Sequence, residues 1–167
     1  MNNPEIISRE AVRVAGLTLH TSFARDRNKT EIPPFFHKVL EEKKLEQIPG
    51  RLNQNQLCIF LMKKDSPDFD YLMGVEINAG EEIPEHTDSM VLSGGDYVRM
   101  SIVKRGPEDV GRAFGYLYNE WMSGSGYVPS GAPAFIYYDE QFFTVFNSTG
   151  YAGNPPATVY IPVIKKL

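Results

Sequence analysis

Glu76 is the one charged residue in the run Tyr71-Leu72-Met73-Gly74-Val75-Glu76-Ile77. Aromatic and β-branched residues make that run a strand, in which alternate side chains share a face. Tyr71, Met73, Val75 and Ile77 then form an apolar face fit to meet helices, and Glu76 points the other way with Leu72 and Gly74. A carboxylate in that position reads either as an exposed strand glutamate or as the anion of a ligand cleft. Desolvating it in an aromatic-lined cleft is costly unless a cation or a donor pairs it, and that cost selects positively charged ligands. Tyr97, Tyr138 and Tyr160 fall in strand-like segments of the second half, and Trp121 falls at a helix end just before glycines. Ring faces hold planar or quaternary cations, each worth roughly 0.5–2 kcal/mol. The helical spacing of Trp121 fits core packing equally well. Ile136 shares a face with Tyr138 by period two, so these two go together.

Other chemistries find less support. His20, His37 and His86 have no metal-type spacing with one another or with Cys58. Cys58 is the only cysteine, and within Leu57-Cys58-Ile59-Phe60 it reads as a small core hydrophobe. Ser123-Gly124-Ser125-Gly126 lacks the spacing of a nucleophile elbow, and Gly94-Gly95 reads as turn chemistry and not a phosphate loop. No cofactor or metal is expected. The formal charge of −4, without a basic run, argues against direct binding to nucleic acid. No apolar run reaches bilayer-spanning length and the first residues lack a secretion signal, so the expectation is a cytoplasmic chain without a membrane partner. The acidic connector Glu81-Glu82-Ile83-Pro84-Glu85 reads as a solvated loop or as a rim that draws cations.

The elements that must position these groups repeat. Residues 11–21 read as a strand, followed by a helix with Thr30 as N-cap, Glu31 in its first turn, and Ile32, Phe35, Phe36, Val39 and Leu40 on one face. Leu57–Met62 and Tyr71–Ile77 follow as strands joined by a turn at Asp65-Ser66-Pro67-Asp68. After a loop over Gly80–Met90, the strand Tyr97–Val103 leads into a helix opened by Pro107, Glu108 and Asp109. Val110, Ala113, Phe114, Leu117, Tyr118, Trp121 and Met122 stack on one face of that helix, and Gly124 and Gly126 end it. Strands at 134–139 and 157–164 complete the chain. Strand, helix, strand, strand thus occurs twice, over about residues 11–79 and 94–164. The 167 residues predict a single α+β domain: one antiparallel-type sheet built from a duplicated motif, two helices on one face, and the other face left free for a cleft.

Several segments then carry a resemblance in their order and spacing: Val14-Ala15-Gly16-Leu17, Tyr71–Ile77, Gly94-Gly95-Asp96-Tyr97, Tyr118-Asn119-Glu120-Trp121-Met122, Ser125-Gly126-Tyr127, Pro133–Tyr138 and Tyr160-Ile161-Pro162-Val163. Over nearly the whole chain they resemble the gyrase-inhibitor-like small-molecule-binding domain, also called the bacterial transcription-activator effector-binding domain. The resemblance implies a duplicated strand–helix–strand–strand fold with a ligand cleft between the halves that takes amphipathic, often cationic, compounds, with several aromatics at its mouth. With no room for a DNA-reading segment before residue 11, the chain looks like the stand-alone form. Members commonly carry a glutamate just after the phenylalanine of the Pro133–Tyr138 strand, and here that position is Ile136. The expected function is non-enzymatic binding of a small amphipathic, cationic organic molecule by Glu76, with Tyr97, Trp121, Tyr138, Tyr160 and Ile136 as wall and Phe36 as floor. The alternatives are a hydrolase of the same fold using Glu76 with a tyrosine, and a protein-blocking role such as gyrase binding. A regulatory protein partner and a homodimer are both left open.

Overall fold

Residues 3–106 and 108–167 are described by the structure, a computed structural model. The chain divides into two compact units, Ala11–Leu92 and a second composed of Met1–Glu10 with Ser93–Leu167. Its secondary structure is α+β, and the strand pairings within each unit are antiparallel.

In the Ala11–Leu92 unit, β2 (Val12–Ser22), α1 (Arg27–Glu41), β3 (Gln56–Met62), β4 (Asp68–Ile77) and β5 (Asp88–Leu92) follow in order, and the strands lie side by side as β3-β4-β2-β5. β4 is central because its Tyr71–Ile77 stretch is apolar apart from Glu76, and every residue of that stretch is buried, so it needs neighbours on both faces. Gly16 and Gly74 face each other across β2 and β4. A Cβ on Gly16 would run into the carbonyl of Met73, so only glycine allows the two strands to lie this close. α1 packs on the face that carries Tyr71, where Phe35 meets the tyrosine edge to face at 6.1 Å. Cys58 is fully buried on β3, opposite Met73.

In the other unit, β1 (Glu5–Arg9), β6 (Gly95–Val103), β8 (Ala134–Tyr138) and β9 (Pro156–Lys165) are ordered β1-β6-β9-β8, and the short β7 (Tyr127–Pro129) pairs with β9. α2 (Glu108–Tyr116) continues through a π turn (Leu117–Trp121) into a last helical turn, α3 (Met122–Ser125), which Gly126 closes at φ +80°. The carboxylate of Asp109, in the first turn of α2, reaches back to accept from the backbone N–H groups of Arg105 and Gly106, so it ties the incoming chain to the start of the helix. The expected role of Pro107 lies outside the described residues. α4 (Glu140–Thr149) follows β8.

Each unit therefore contains strand, helix, strand, strand in the same chain order, and in each the first strand lies beside the fourth, the fourth beside the third, and an additional strand on the outer side of the first.

The structure departs from the sequence reading in identifiable places. α1 begins at Arg27 and not at Thr30, after Arg25 and Asp26 in left-handed conformation, and the Thr30 hydroxyl donates to the Arg27 carbonyl instead of capping. Glu31 instead accepts from Thr21 Oγ1 at 2.7 Å and pairs with Arg27, interactions that require the folded sheet. Pro33 and Pro34 therefore sit inside the helix, where they supply no N–H to the preceding turn. β1, β7 and the helix α4 were not expected, and β5 takes up the end of the Gly80–Met90 loop. The unit with α4 thus has a second helical layer element beyond the two helices expected for the chain, and β8 ends at Tyr138 because Asp139 becomes the N-cap of α4, accepting from Phe142 N–H at 3.2 Å. Gly124 lies inside α3, and Gly126 alone closes the helix.

Candidate functional site

Strand register sorts the candidate rings. Arg99 and Phe135 both pair with Tyr160, Tyr97 pairs with Pro162, and Arg9 pairs with Gly95. Directly paired residues point to the same side, and residues two apart on a strand share it, so Arg9, Tyr97, Arg99, Phe135, Tyr137 and Tyr160 belong to one face of this unit's sheet. Ile136 and Tyr138 belong to the other.

On the first face the rings touch. Phe135 and Tyr160 stack with centroids 4.7 Å apart and planes 9° from parallel, while Tyr97 meets Phe135 at 5.6 Å and Tyr160 at 6.2 Å edge to face. Tyr137 closes on Tyr160 at 6.0 Å. The guanidinium of Arg9 lies over this group, 5.1 Å from the Phe135 centroid, 5.3 Å from Tyr160 and 5.5 Å from Tyr137. These rings can hold a cation, since one already rests on them. Tyr97 is buried and its hydroxyl donates to the Ser93 carbonyl at 2.6 Å. Burial pushes its phenol pKa up, and the nearby positive charge of Arg9 opposes the shift. A hydrogen bond with Tyr160, and then one with the Glu5 carboxylate, raise the pKa of Arg99 and keep its guanidinium charged.

On the opposite face Tyr138 packs against Phe142 of α4 at 4.5 Å and against Phe143. The Nζ of Lys104, a residue only 6% exposed, donates to the Tyr138 hydroxyl at 2.7 Å and lies 4.9 Å from its ring centroid. Tyr138 and its face-mate Ile136 are thus separated by the sheet from Tyr97 and Tyr160. Trp121, half-buried in the π turn, stacks on Tyr127 at 6.2 Å.

Glu76 lies in the other unit. It is 5% exposed, so the reading as an exposed strand glutamate does not hold. Its Oε1 accepts from Asn53 Nδ2 at 3.1 Å, and its carbonyl accepts from Leu52 N–H at 2.9 Å, so the segment before β3 holds both ends of the residue. Its register partner on β2 is Val14, and the facing glycines 16 and 74 come next along the same face. Phe36 is buried on α1, the helix that covers the opposite, Tyr71-bearing face. The sheet therefore separates Phe36 from Glu76, as it separates Tyr138 from Tyr97.

Sequence reading did not select Arg9, Phe135, Tyr137 or Asn53. Phe135 and Tyr137 were within the expected strand and carried the same aromatic signal as Tyr138. Arg9 had no such signal, because it acts through β1, whose pairing with β6 bridges some ninety residues. Among the described residues no group of three or more His, Cys, Asp or Glu side chains could hold a metal ion, and no helix is long and apolar enough to cross a membrane.

Antiparallel strands with helices, and rings that hold the Arg9 guanidinium on one sheet face, define the chain as an α+β protein with an aromatic cation position. The family model of the Cass2 integron-associated effector binding protein matches residues 5–163, and the chain belongs to that family. Its fold is similar to that of SAV2435 solved bound to tetraphenylphosphonium, with a TM-score of 0.75 at 14% identity over 98% of this chain and 94% of that one. It is similar as well to the integron cassette protein from the mobile metagenome of Vibrio cholerae, with a TM-score of 0.65 at 15% identity over 96% and 95% of the two chains. The C-terminal domain of EcmrR gives 0.62 at 13% identity over 98% of each chain. No curated protein matches the chain by sequence.

Proposed function

We propose that the chain binds a small amphipathic organic cation without transforming it. The observation that carries this reading is the ring group of Phe135, Tyr137 and Tyr160, whose faces accommodate a positive charge at 5.1–5.5 Å. Membership of an effector-binding family supports it, as does the tetraphenylphosphonium bound in a protein of similar fold. Within the Ala11–Leu92 unit, Glu76, buried and held by Asn53, is our candidate anion, since a carboxylate removed from water favours positive charge near it. Tyr97 and Tyr160 act as wall in this reading, whereas Tyr138, Ile136 and Phe36 act through packing.

The test compares two ions of nearly the same shape and opposite charge. Calorimetric titration with tetraphenylphosphonium is expected to saturate at one ligand per chain, with affinity at least about tenfold above that for tetraphenylborate. Equal affinities, or no saturable heat with the phosphonium, would sink the reading. Turnover of an ester panel would move the assignment to the hydrolase alternative.

A further inference from the structure

The ring group that would receive a cationic ligand already contains a cation of the chain itself. Arg9 is the last residue of β1, which lies at the edge of its unit's strand order, and its guanidinium contacts three ring faces at once. The residue opposite it is Gly95, at φ +132°, and a Cβ built there meets nothing within 4 Å. A side chain turning away from the rings therefore has space beside its own strand partner.

We propose that Arg9 is a tethered competitor that fills the cation position of the ring group, and that a ligand binds by displacing it. This rests on the cation-binding reading above and adds what it leaves open, namely which cations succeed. A ligand that only replaces one guanidinium–ring contact with another gains nothing, because the tethered group has no translational freedom to lose. An ion that adds apolar area beyond its charge gains the difference. Arg9 is thus a specificity-determining residue that rejects small hydrophilic cations and admits large aromatic ones. While it occupies the rings, it lowers apparent affinity by the fraction of chains in which the rings are open.

Arg9→Gln and Arg9→Met both remove the charge and keep a flexible stem, and circular dichroism establishes which of them folds. Either is expected to bind tetraphenylphosphonium at least about fivefold more tightly than the wild type, and to gain measurable binding of tetramethylammonium. Unchanged or weaker phosphonium binding by the folded variants, with the wild type binding, overturns the proposal. Chemical rescue separates this from the functional reading: ethylguanidinium should raise the melting temperature of Arg9→Ala and leave the wild type unmoved. If it does so while no chain binds the phosphonium, Arg9 still marks a cation position and only the functional reading falls. If it stabilises both chains equally or neither, the proposal falls whatever the phosphonium does. In the wild type itself, saturation with tetraphenylphosphonium should move the Arg9 Nε–H resonance out of the ring-current field, and an unmoved resonance with ligand bound would also overturn it.

Discussion

Replacing Glu76 by glutamine preserves an oxygen for the Asn53 amide to donate to and removes the charge. The predicted result is a loss of affinity for organic cations on the order of 1–3 kcal/mol, with neutral triphenylphosphine oxide unaffected, read by calorimetry. Equal losses for both compounds would refute the role of the carboxylate. Tyr97 offers a test of different sign. Its hydroxyl donates to the Ser93 carbonyl, so Tyr97→Phe should cost about 1 kcal/mol near neutral pH in urea melts. Burial raises its folded pKa above the unfolded value, so its contribution is complete below about pH 10 and is lost as pH rises through the folded value. The wild type should therefore lose stability faster than Tyr97→Phe above about pH 10, and parallel curves would show that the phenol does not titrate differently in the folded chain. The type and side of Glu76 were legible from strand parity alone. Its burial was not, because that depends on Asn53 and on the neighbouring strands.

α4 shows most clearly what local patterning missed. Phe142, Phe143 and Phe146 share part of a helical face, yet Gln-Phe-Phe-Thr-Val-Phe has the aromatic and β-branched content of a strand. The deciding residue is Asp139, whose carboxylate accepts from the Phe142 N–H and stops β8 one residue earlier than expected. Asp139→Ala should destabilise the chain by about 1 kcal/mol and Asp139→Asn by only a few tenths, measured by thermal melts. Equal losses would assign another role to Asp139. The π turn was equally hidden. Continuous α-helical spacing puts Tyr118 on the buried stripe, but one extra residue in the turn shifts the register, so Tyr118 is 42% exposed while Leu117 and Met122 are buried. The strands of each unit were more legible than the helix ends, because alternation fixes which residues share a face whereas caps depend on distant partners, as Glu31 does on Thr21. Which face carries the ligand-type rings was not legible. Parity joins Ile136 to Tyr138, but only pairing with β9 reveals that Phe135 and Tyr137 lie with Tyr160.

The molecule as a whole carries a formal charge of −4, which favours encounter with organic cations at low salt. The association rate for tetraphenylphosphonium should fall as ionic strength rises from about 0.01 to 0.15 M, where the screening length shortens to about 8 Å, and a flat profile in stopped flow would leave steering no part in binding. Binding confined to the folded state also adds stability by mass action, about 2.7 kcal/mol at a hundred times the dissociation constant. Cys58 gives that linkage a direct readout. As the sole thiol of the chain, fully enclosed on β3, it can be reached by an aromatic disulfide reagent only when its surroundings open. The rate of thiol colour development is then a clock for rare openings, and it needs no label, dye or denaturant. If the openings that expose sulfur also abolish binding, each added increment of phosphonium slows the clock in proportion to the bound fraction. Should sulfur be exposed by a local fluctuation that spares the ligand, the clock keeps its pace, and the two behaviours tell apart a breathing strand from an unfolding protein.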